Sequence, residues 1–508
     1  MFTITNSIGL FGMNAFPVTV EAETVRGHVA FDIGGLPDAG IRESRDRVRS
    51  ALSSVGIAFP RAHVIMNLAP ADVRKSGTTF DLAIFAALLQ TLEVLPPRMP
   101  DRVFIGELGL GGEVHGIRGV MSMVMLAQKN GFAEAFVPYE NIREASVVEG
   151  IRVYGIRTAA ELLGHLLGKA PLSPAPICRP EGLESNADLL DFCDVRGQNK
   201  ARRGVELAAA GGHNLLLIGS PGSGKSMLAN RIPTILPKMS HAEILETTSV
   251  YSVAGKLTPE APLVTKRPFR APHHTVSSAG LVGGGNIPAP GEISLAHNGV
   301  LFLDELAEFD RSTLEILRQP LETREVTISR AAGTAVYPCS IMLVAAMNPC
   351  PCGYYGSKTR QCTCSASKVK AYLGKISGPL LDRFDLQIDV DPVAYDDLSG
   401  KEPAENSQSI RERIEAARSR QEKRFQDTGI YCNAMIPDHL LRQYCKLDDA
   451  AQALLRTAHE RYGISARTYS RIQKVALSSA DLNGHDTIRK SDIASAIQFR
   501  GLESKYLK

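Results

Sequence analysis

The sequence lacks the strong net charge that marks many nucleic-acid-binding proteins. Its 57 Lys and Arg residues nearly balance 54 Asp and Glu residues, which leaves a formal net charge of +3 over 508 residues. A charge this small gives no whole-protein electrostatic signature. Any nucleic-acid partner would therefore have to be bound by a local basic patch.

Signals for membranes and for secretion are also missing. We find no uninterrupted apolar run of the roughly 20 residues that a membrane-spanning helix requires. Residues 1–12 lack the basic stretch that begins a secretory signal peptide. Nine cysteines form an odd set, which argues against a disulfide framework and favours reduced thiols. We expect a cytoplasmic protein with no membrane partner.

The chain is long enough for about three domains. Residues 1–168 mix strand-like runs with helical patterns, which predicts an α/β domain. Residues 169–193 open with three prolines within six residues and predict an extended linker. Short apolar runs alternate with helical segments over residues 194–393, as in a parallel sheet covered on both faces. Residues 394–508 are helical in period and predict a small lid domain.

A glycine-rich segment follows the apolar run Leu215–Ile218. Residues 219–226 read GSPGSGKS, which fits the phosphate-binding pattern G-x-x-x-x-G-K-[ST] between a strand and a helix. In such loops backbone N–H groups hold the phosphates, the lysine reaches the β and γ oxygens, and the last hydroxyl, here that of Ser226, faces Mg²⁺. The predicted ATP-binding residues are Gly219, Ser220, Pro221, Gly222, Ser223, Gly224, Lys225 and Ser226.

Two later apolar runs end in polar residues suited to nucleotide hydrolysis. Val300–Leu303 is followed by two acids, of which Asp304 is predicted to hold Mg²⁺ and Glu305 to polarise the attacking water. Ile341–Met347 is followed by Asn348, whose amide can orient the water or the γ-phosphate. An Asn after a strand is usually a turn residue. Its place after the other two motifs favours the catalytic role.

Four cysteines cluster as two C-x-C pairs. Four thiolates on a short loop suit one tetrahedral structural Zn²⁺, although C-x₂-C is the more familiar spacing. The alternative is a reduced, partly buried loop. Because the loop begins just after Asn348, we expect loss of the metal to disturb the ATP site. The four predicted zinc ligands are Cys350, Cys352, Cys362 and Cys364.

Three long strings resemble the magnesium-chelatase-like AAA+ proteins of the ComM/YifB family. They are RPFRAPHHT at 267–275, PGEISLAHNGVLFLDE at 290–305 and AMNPCPCG at 346–353. The similarity spans nearly the whole chain. It implies an ATP- and Mg²⁺-dependent homo-hexameric ring motor. It also implies a helicase that moves DNA branch points during natural transformation, with branched or single-stranded DNA and recombination proteins as partners.

The resemblance suggests roles for several segments. Arg383 resembles the arginine finger donated to a neighbouring subunit's ATP, and Arg467 resembles the sensor arginine of the lid. Residues 324–333 predict a β-hairpin like the pre-sensor hairpin of chelatases and minichromosome-maintenance helicases. That makes Arg330 a candidate DNA phosphate contact, the alternative being a solvated surface arginine. The glycine-rich segment 277–286 is predicted to be too flexible to form part of the core. It is either a second mobile loop of the channel or a passive loop.

Residues 1–168 resemble the Lon-protease catalytic fold, through segments 75–81 and 112–121. A protease of that class needs a nucleophilic Ser and a Lys that deprotonates it. The matching positions here are Thr79 and Met121, and methionine accepts no proton. Ser76 and the lysine before it are no substitute, because neighbours in an extended segment point to opposite faces. We predict an inactive scaffold for assembly or for DNA.

These observations favour a DNA motor over three other functions. A magnesium-chelatase-type ATPase subunit acting on a protein partner also fits the AAA+ core, but leaves the Lon-like domain unexplained. The missing lysine disfavours an ATP-dependent protease. A non-enzymatic scaffold would require a broken nucleotide site, and these motifs are intact.

Overall fold

The computed structural model of the protein describes residues 2–73, 75, 77–179, 190–285, 288–330, 333–357, 360–393 and 404–500, except for the side chains of Ala39 and Tyr462. Three blocks of secondary structure follow one another along the chain. The first two are α/β, and the third is helical. No helix in these ranges combines the length and the apolar character needed to cross a bilayer.

The first block is built on a mixed sheet. Its strands are β1 (Phe2–Phe11), β2 (Asn14–Val25), β3 (Ala30–Gly34), β4 (His63–Ala69), β5 (Arg98–Phe104), β6 (Glu107–Leu108), β7 (Val114–His115), β8 (Glu134–Pro138) and β9 (Arg152–Ile156). Its helices are α1 (Ala39–Ser54), α2 (Asp81–Thr91), α3 (Val120–Lys129), α4 (Ile142–Ala145) and α5 (Ala159–Leu166). Seven strands lie in the order β3-β4-β2-β1-β5-β8-β9, and β6 and β7 form a separate ribbon. The pairs β1–β2 and β2–β4 are antiparallel, and the other neighbours in the sheet are parallel.

Helix α2 forms the centre of this block. All 11 of its residues are buried, as expected for a helix that is apolar all round. Its one acid, Asp81, lies in the first turn, where the helix dipole favours negative charge. The Asp81 carboxylate accepts hydrogen bonds from Arg47 Nε at 2.7 Å and from the backbone N–H of Leu108 at 3.1 Å. The buried charge is therefore paired rather than isolated.

The second block contains the predicted parallel sheet. Its strands are β10 (Leu215–Ile218), β11 (Phe269–Arg270), β12 (Gly283–Gly284), β13 (Ala289–Pro290), β14 (Val300–Leu303), β15 (Glu325–Arg330), β16 (Gly333–Pro338), β17 (Met342–Met347) and β18 (Leu386–Asp389). Its helices are α6 (Asn199–Gly211), α7 (Lys225–Ile235), α8 (His241–Val253), α9 (Ser278–Val282), α10 (Glu292–Leu295), α11 (Arg311–Ile316), α12 (Arg318–Thr323), α13 (Ala366–Leu373) and α14 (Gly378–Leu381). The order β11-β14-β17-β10-β18 is parallel throughout. Every residue of β10, β14 and β17 is buried, because helices cover both faces of such a sheet.

The third block is helical, as predicted, and packs on the second. Its helices are α15 (Ser407–Arg424), α16 (Leu441–Tyr444), α17 (Asp449–Tyr462), α18 (Ala466–Leu482) and α19 (Lys490–Gln498). A buried polar cluster joins it to β18. His213 lies between Asp385 Oδ2 at 3.4 Å and Ser478 Oγ at 2.8 Å, and Arg471 Nε is 3.5 Å from Asp385 Oδ1. Burial acts to raise the pKa of Asp385, but the hydrogen bond and charge of His213 together with the charge of Arg471 lower that pKa to about 2.

The predicted linker begins against the first block. Residues 169–179 contain neither helix nor strand. The backbone N–H of Ala175 donates to Val153 O at 2.8 Å, and that of Cys178 donates to Ser146 O at 3.1 Å. Residues 180–189 lie outside the described part of the chain, and the domain boundaries stay predictions.

The glycine-rich segment 277–286 differs from its prediction. Residues 278–282 form α9, and the Ser277 hydroxyl caps this helix by accepting the Gly280 N–H at 3.1 Å. Leu281 is fully buried in the core of the second block. The expectation that this segment stays out of the core is therefore wrong, because a capped helical turn buries its leucine. Asn286 lies outside the described residues.

The first block is docked directly onto the second. Met121 of α3 is fully buried in a cluster with Val147 of the first block and with three residues of the second block, among them Ile244 of α8. Polar contacts add to this packing. Ser252 Oγ donates to Glu144 Oε2 at 2.6 Å, and the backbone N–H of Gly119 donates to Ser252 O at 3.2 Å. Met121, at the position that matches the protease lysine, therefore packs between the first and second blocks.

We expect Met121→Lys to lower the stability of the protein by several kcal/mol, because it buries an ammonium group without a partner. Met125→Lys is the matched control, since Met125 lies on the same helix and is 38% exposed. Thermal unfolding followed by calorimetry gives the comparison. Equal melting temperatures for the two variants would contradict the packing role. Combining Met121→Lys with Thr79→Ser should produce no peptidase activity.

Candidate nucleotide-binding site

The three predicted motifs follow strands that end at one edge of the five-stranded sheet. Ile218 of β10 pairs with Met347 of β17, and Leu303 of β14 pairs with Ala345. All these strands are parallel, so their carboxyl ends lie side by side. Ligands of open α/β sheets bind outside these ends. The sheet therefore brings the glycine-rich loop, the acid pair and Asn348 together.

The glycine-rich loop turns sharply before α7. Gly222 and Gly224 have φ angles of 75° and 87°, in the left-handed region that glycine adopts without steric cost. Helix α7 starts at Lys225, so its N-terminus faces the loop. Free backbone N–H groups and a helix N-terminus together bind anions.

The Lys225 side chain already spans this loop. Its Nζ donates to Gly219 O at 2.8 Å, to Ser220 O at 2.9 Å and to Asn348 Oδ1 at 3.2 Å. Desolvation lowers the pKa of Lys225, and the nearby negative charges of Asp304 and Glu305 oppose that change. All three acceptors are neutral oxygens. A phosphate oxygen can replace them with a gain in charge–charge attraction.

The residues predicted to hold Mg²⁺ lie in contact. Ser226 Oγ donates to Asp304 Oδ2 at 2.7 Å. A hydroxyl and a carboxylate are the hard oxygen ligands that Mg²⁺ prefers. The donor set therefore fits this ion.

Glu305 lies on a tight turn directly after Asp304. Its backbone is left-handed, with φ 53° and ψ 48°, and its N–H donates to Asp304 Oδ1 at 2.9 Å. The Glu305 side chain is 58% exposed, and its Oε2 is 3.5 Å from His274 Nδ1. The carboxylate is thus accessible to water and has a histidine beside it.

Arg383 lies at the opposite edge of the sheet. It precedes β18, whose first residue pairs with Leu215 at the start of β10. The Arg383 carbonyl accepts Asn214 Nδ2 at 3.0 Å, and its guanidinium forms an ion pair with Glu322. Four residues of β10 span about 13 Å. Within one chain, that length of strand separates Arg383 from the phosphate-binding loop.

Arg467 lies on the same side as Arg383. Its Nη1 is 4.0 Å from Asp382 Oδ2, and Asp382 is the residue before Arg383. The Arg467 side chain is 66% exposed. The structure therefore places the two predicted arginines close together, with Arg467 exposed and the Arg383 side chain only 10% exposed.

Arg330 ends the first strand of the predicted hairpin. Strands β15 and β16 pair antiparallel from Glu325 with Pro338 to Arg330 with Gly333. Arg330 is exposed, and its Nη1 donates to the neighbouring Ser329 O at 2.9 Å. Tyr337 Oη donates to Pro288 O at 2.6 Å. That bond ties the hairpin to the segment before β13, so the two predicted loops lie next to each other.

The four cysteines converge as a metal site requires. Their sulfurs all lie within 4.8 Å of one another. Cys350 Sγ is 3.4 Å from Cys352 Sγ and 3.7 Å from Cys362 Sγ, and the last two sulfurs are 3.5 Å apart. Tetrahedral Zn–S bonds of about 2.3 Å place sulfurs about 3.8 Å apart. Backbone N–H groups of Thr363 and Tyr354 lower the pKa of the Cys352 thiol, which favours the thiolate that binds metal.

This cysteine loop packs on the glycine-rich loop. Gly353 has φ 84°, and a Cβ built on it would lie 2.4 Å from Pro221 Cδ. Cys350 is fully buried, two residues after Asn348. The loop therefore supports the nucleotide site from two directions.

Three of these contacts escaped the sequence analysis. His274 beside Glu305 belongs to a string that served only as a family signature, although two adjacent histidines near a strand end are a usable signal. The pairing of Glu322 with Arg383 joins residues 61 apart in the chain, and no local pattern points to it. The contact of Gly353 with Pro221 also depends on tertiary packing alone.

Three family models and several known proteins match this chain. "Magnesium chelatase, subunit ChlI" matches residues 191–398, "Subunit ChlI of Mg-chelatase" matches 20–141, and "Magnesium chelatase, subunit ChlI C-terminal" matches 404–500. The chain is 40% identical to "Competence protein ComM" of Haemophilus influenzae over 505 residues, which cover 98% of this chain and 97% of that protein. "Uncharacterized protein YifB" of Escherichia coli is 39% identical over 504 residues, with 99% and 97% covered. "DNA repair protein RadA" of Bacillus subtilis is 29% identical over 154 residues, or 30% of this chain and 33% of RadA.

These matches confirm the family resemblance stated from the sequence. They also confirm the predicted fold class, a Lon-like α/β block followed by an AAA+ parallel-sheet core and a helical C-terminal region.

We expect Gly353→Ala to weaken nucleotide binding by roughly tenfold or more, because the added methyl must displace Pro221 of the phosphate loop. Gly131→Ala is the matched control. Gly131 has the same φ of 84°, but a Cβ there meets nothing within 4 Å. Titration with a fluorescent ATP analogue measures both. Equal affinities would show that the cysteine loop does not support the nucleotide site.

Proposed function

The chain belongs to the magnesium-chelatase-like AAA+ ATPases of the ComM/YifB type, and from that premise we propose that it is a ring-forming DNA motor. In this proposal ATP hydrolysis drives a helicase that promotes branch migration during recombination. The Haemophilus relative is named a competence protein, which favours natural transformation as the setting. Recombination proteins are then its proposed partners.

One observation carries the proposal of a ring. Arg383 and Arg467 lie close together, joined through Asp382, at the edge of the sheet where β18 begins. In this proposal both arginines act on a phosphate bound to a neighbouring copy, so a complete site needs a second copy. We assign Arg383 as the finger and Arg467 as the sensor for a neighbour's ATP, in a homo-hexamer. An arginine donated across an interface ties hydrolysis to subunit contact.

The remaining roles belong to one chain. Lys225 exchanges the carbonyls of Gly219 and Ser220 for phosphate oxygens. Ser226 and Asp304 would hold Mg²⁺, which would supply positive charge to neutralise the phosphates. Glu305 takes the proton of the attacking water, and Asn348 orients that water.

DNA contact is assigned to the hairpin β15–β16. Arg330 stands exposed at its end, where a Cβ built on Gly284 of β12 would lie 3.4 Å from the Arg330 Nη2. The guanidinium of an exposed arginine suits phosphate oxygens, which position the protein without reading sequence. The partial match to a DNA repair protein supports a role on DNA without locating the contact.

The alternative is a magnesium-chelatase-type ATPase subunit that acts on a protein partner. The match of a chelatase-subunit model to residues 20–141 favours it, because the first block is then also part of that family. Stimulation of ATP hydrolysis by DNA distinguishes the two functions, since we expect no such stimulation of a chelatase subunit.

We propose further that the four-cysteine cluster holds a structural Zn²⁺. The donor set is tetrahedral in spacing and rich in sulfur, which zinc prefers. Its role would be to fix the loop that packs on Pro221 and carries Asn348 at its start.

We expect four-way-junction or forked DNA to stimulate ATP hydrolysis, and the stimulation to fall with salt. Arg330→Ala should raise the DNA concentration for half-maximal stimulation and lower the salt slope by about one. Arg456→Ala, an equal charge change at a side chain that is 80% exposed on α17, is the control. If no DNA stimulates ATP hydrolysis at low salt and no strand is displaced, the DNA-motor proposal is wrong and the chelatase-type function is favoured.

Metal analysis of reduced, unchelated protein should find one zinc per chain. Cys362→Ser should lose it, because three thiolates hold zinc more weakly than four. Cys178→Ser, a half-buried cysteine outside the cluster, should keep it. Protein purified without chelators that contains no zinc would refute the assignment.

A further inference from the structure

The two-residue turn between β1 and β2 places the first block against the proposed DNA-contacting hairpin β15–β16. Gly333 pairs with Arg330 at the end of that hairpin, and a Cβ built on Gly333 would lie 3.0 Å from the Phe11 ring. A Cβ built on Gly12 would lie 2.6 Å from the Cβ of Ala335. Consecutive residues of the first block therefore contact the first and third residues of β16.

Glycine at position 12 makes this close approach possible. Gly12 has a φ of 60°, in the left-handed region that glycine adopts without steric cost, and a larger residue there would collide with β16. Leu10, Phe11 and Met13 flank it, and their side chains pack on the apolar cluster that contains Ile328 of β15. The turn and the hairpin therefore share one apolar core.

The turn is fixed to the rest of the first block. Strands β1 and β2 pair up to Phe11 with Asn14, so the tight connection between them has little freedom. Leu10 lies over the start of α3, where a Cβ built on Gly119 would lie 2.1 Å from Leu10 Cδ2 and 3.5 Å from Val253 Cγ2 of α8. The hairpin, by contrast, is a two-stranded ribbon, and such a ribbon is marginally stable by itself. The first block therefore supplies the rigid side of this contact.

We propose that Phe11 is a positioning residue through which the first block holds the hairpin in the position where Arg330 binds DNA. This inference rests on the proposed function, with the hairpin as the DNA contact. Holding the hairpin in place lowers the conformational entropy that is lost when DNA binds, and this raises the affinity for DNA. A block that lacks the protease lysine thereby takes part in DNA binding through its sheet.

The experiment measures ATP hydrolysis by the full-length protein against the concentration of four-way-junction DNA. Phe11→Ala should raise the DNA concentration for half-maximal stimulation roughly three- to tenfold, because the hairpin loses its support. The DNA-free kcat and the salt slope should not change, because no phosphate contact is removed. Phe11→Met keeps an apolar side chain of similar reach and should restore the wild-type value. Phe2→Ala, at the other end of β1 and 52% exposed, is the matched control.

A double-mutant cycle tests whether Phe11 acts through the hairpin arginine. If it does, Phe11→Ala combined with Arg330→Ala should have a half-maximal DNA concentration within about twofold of that of Arg330→Ala alone. Gly12→Ala is a second variant for the same contact, because its methyl group collides with Ala335. It should weaken the response to DNA as Phe11→Ala does, and Ala335→Gly in the same chain should reverse that loss.

The outcomes separate this inference from the proposed function. Wild type that ignores every DNA, or Arg330→Ala that responds to DNA as wild type does, overturns the proposed DNA contact and this inference with it. If both of those results are as proposed, the inference alone fails when Phe11→Ala matches Phe2→Ala, or when its effect adds in full to that of Arg330→Ala. An equal fall in the DNA-free and the DNA-stimulated rates of Phe11→Ala, with an unchanged half-maximal DNA concentration, also contradicts it.

Discussion

Parallel strands that end at one edge of a sheet constrain everything else in this molecule. Residues 218, 303 and 347 lie at the ends of three such strands. Whatever follows them along the chain must meet in space, however far apart in sequence. That is why Lys225 bonds Asn348 across 123 positions and Ser226 bonds Asp304 across 78. The position of the nucleotide site is therefore set first by the direction of the strands, and the loops that follow them supply its side chains.

The same constraint places the residues of the proposed reaction at two opposite edges of the sheet. A residue that precedes a parallel strand lies at the opposite edge from one that follows it. Arg383 precedes β18, so it faces away from the phosphate-binding loop of its own chain, and Arg467 of the lid joins it through Asp382. In the proposed ring, two surfaces that are incomplete alone become one site when copies meet.

Sequence predicted the elements whose signal is local. The glycine-rich loop, the buried strands and the helical third block each carry their pattern in consecutive residues, and strands β10 and β14 coincide with the apolar runs found in the sequence. Contacts between distant elements were not predictable in this way. His274 meets Glu305 only because β11 pairs with β14, and Met121 is buried only because α3 meets α8. The segment around Leu281 shows a different kind of error. Its glycines suggested a flexible loop, but a serine cap begins a helix there and Leu281 is buried.

The most direct test of the central claim, a nucleotide site shared between copies, is to mix two inactive variants. Lys225→Ala lacks the phosphate-loop lysine, and Arg383→Ala lacks the finger. In randomly mixed rings, about a quarter of the interfaces combine an intact loop with an intact finger, so the mixture should regain about that share of wild-type ATP hydrolysis. Lys225→Ala mixed with Glu305→Gln, two lesions on the same side of the interface, should regain nothing. If the first mixture is as inactive as its parts, the site is not shared between copies.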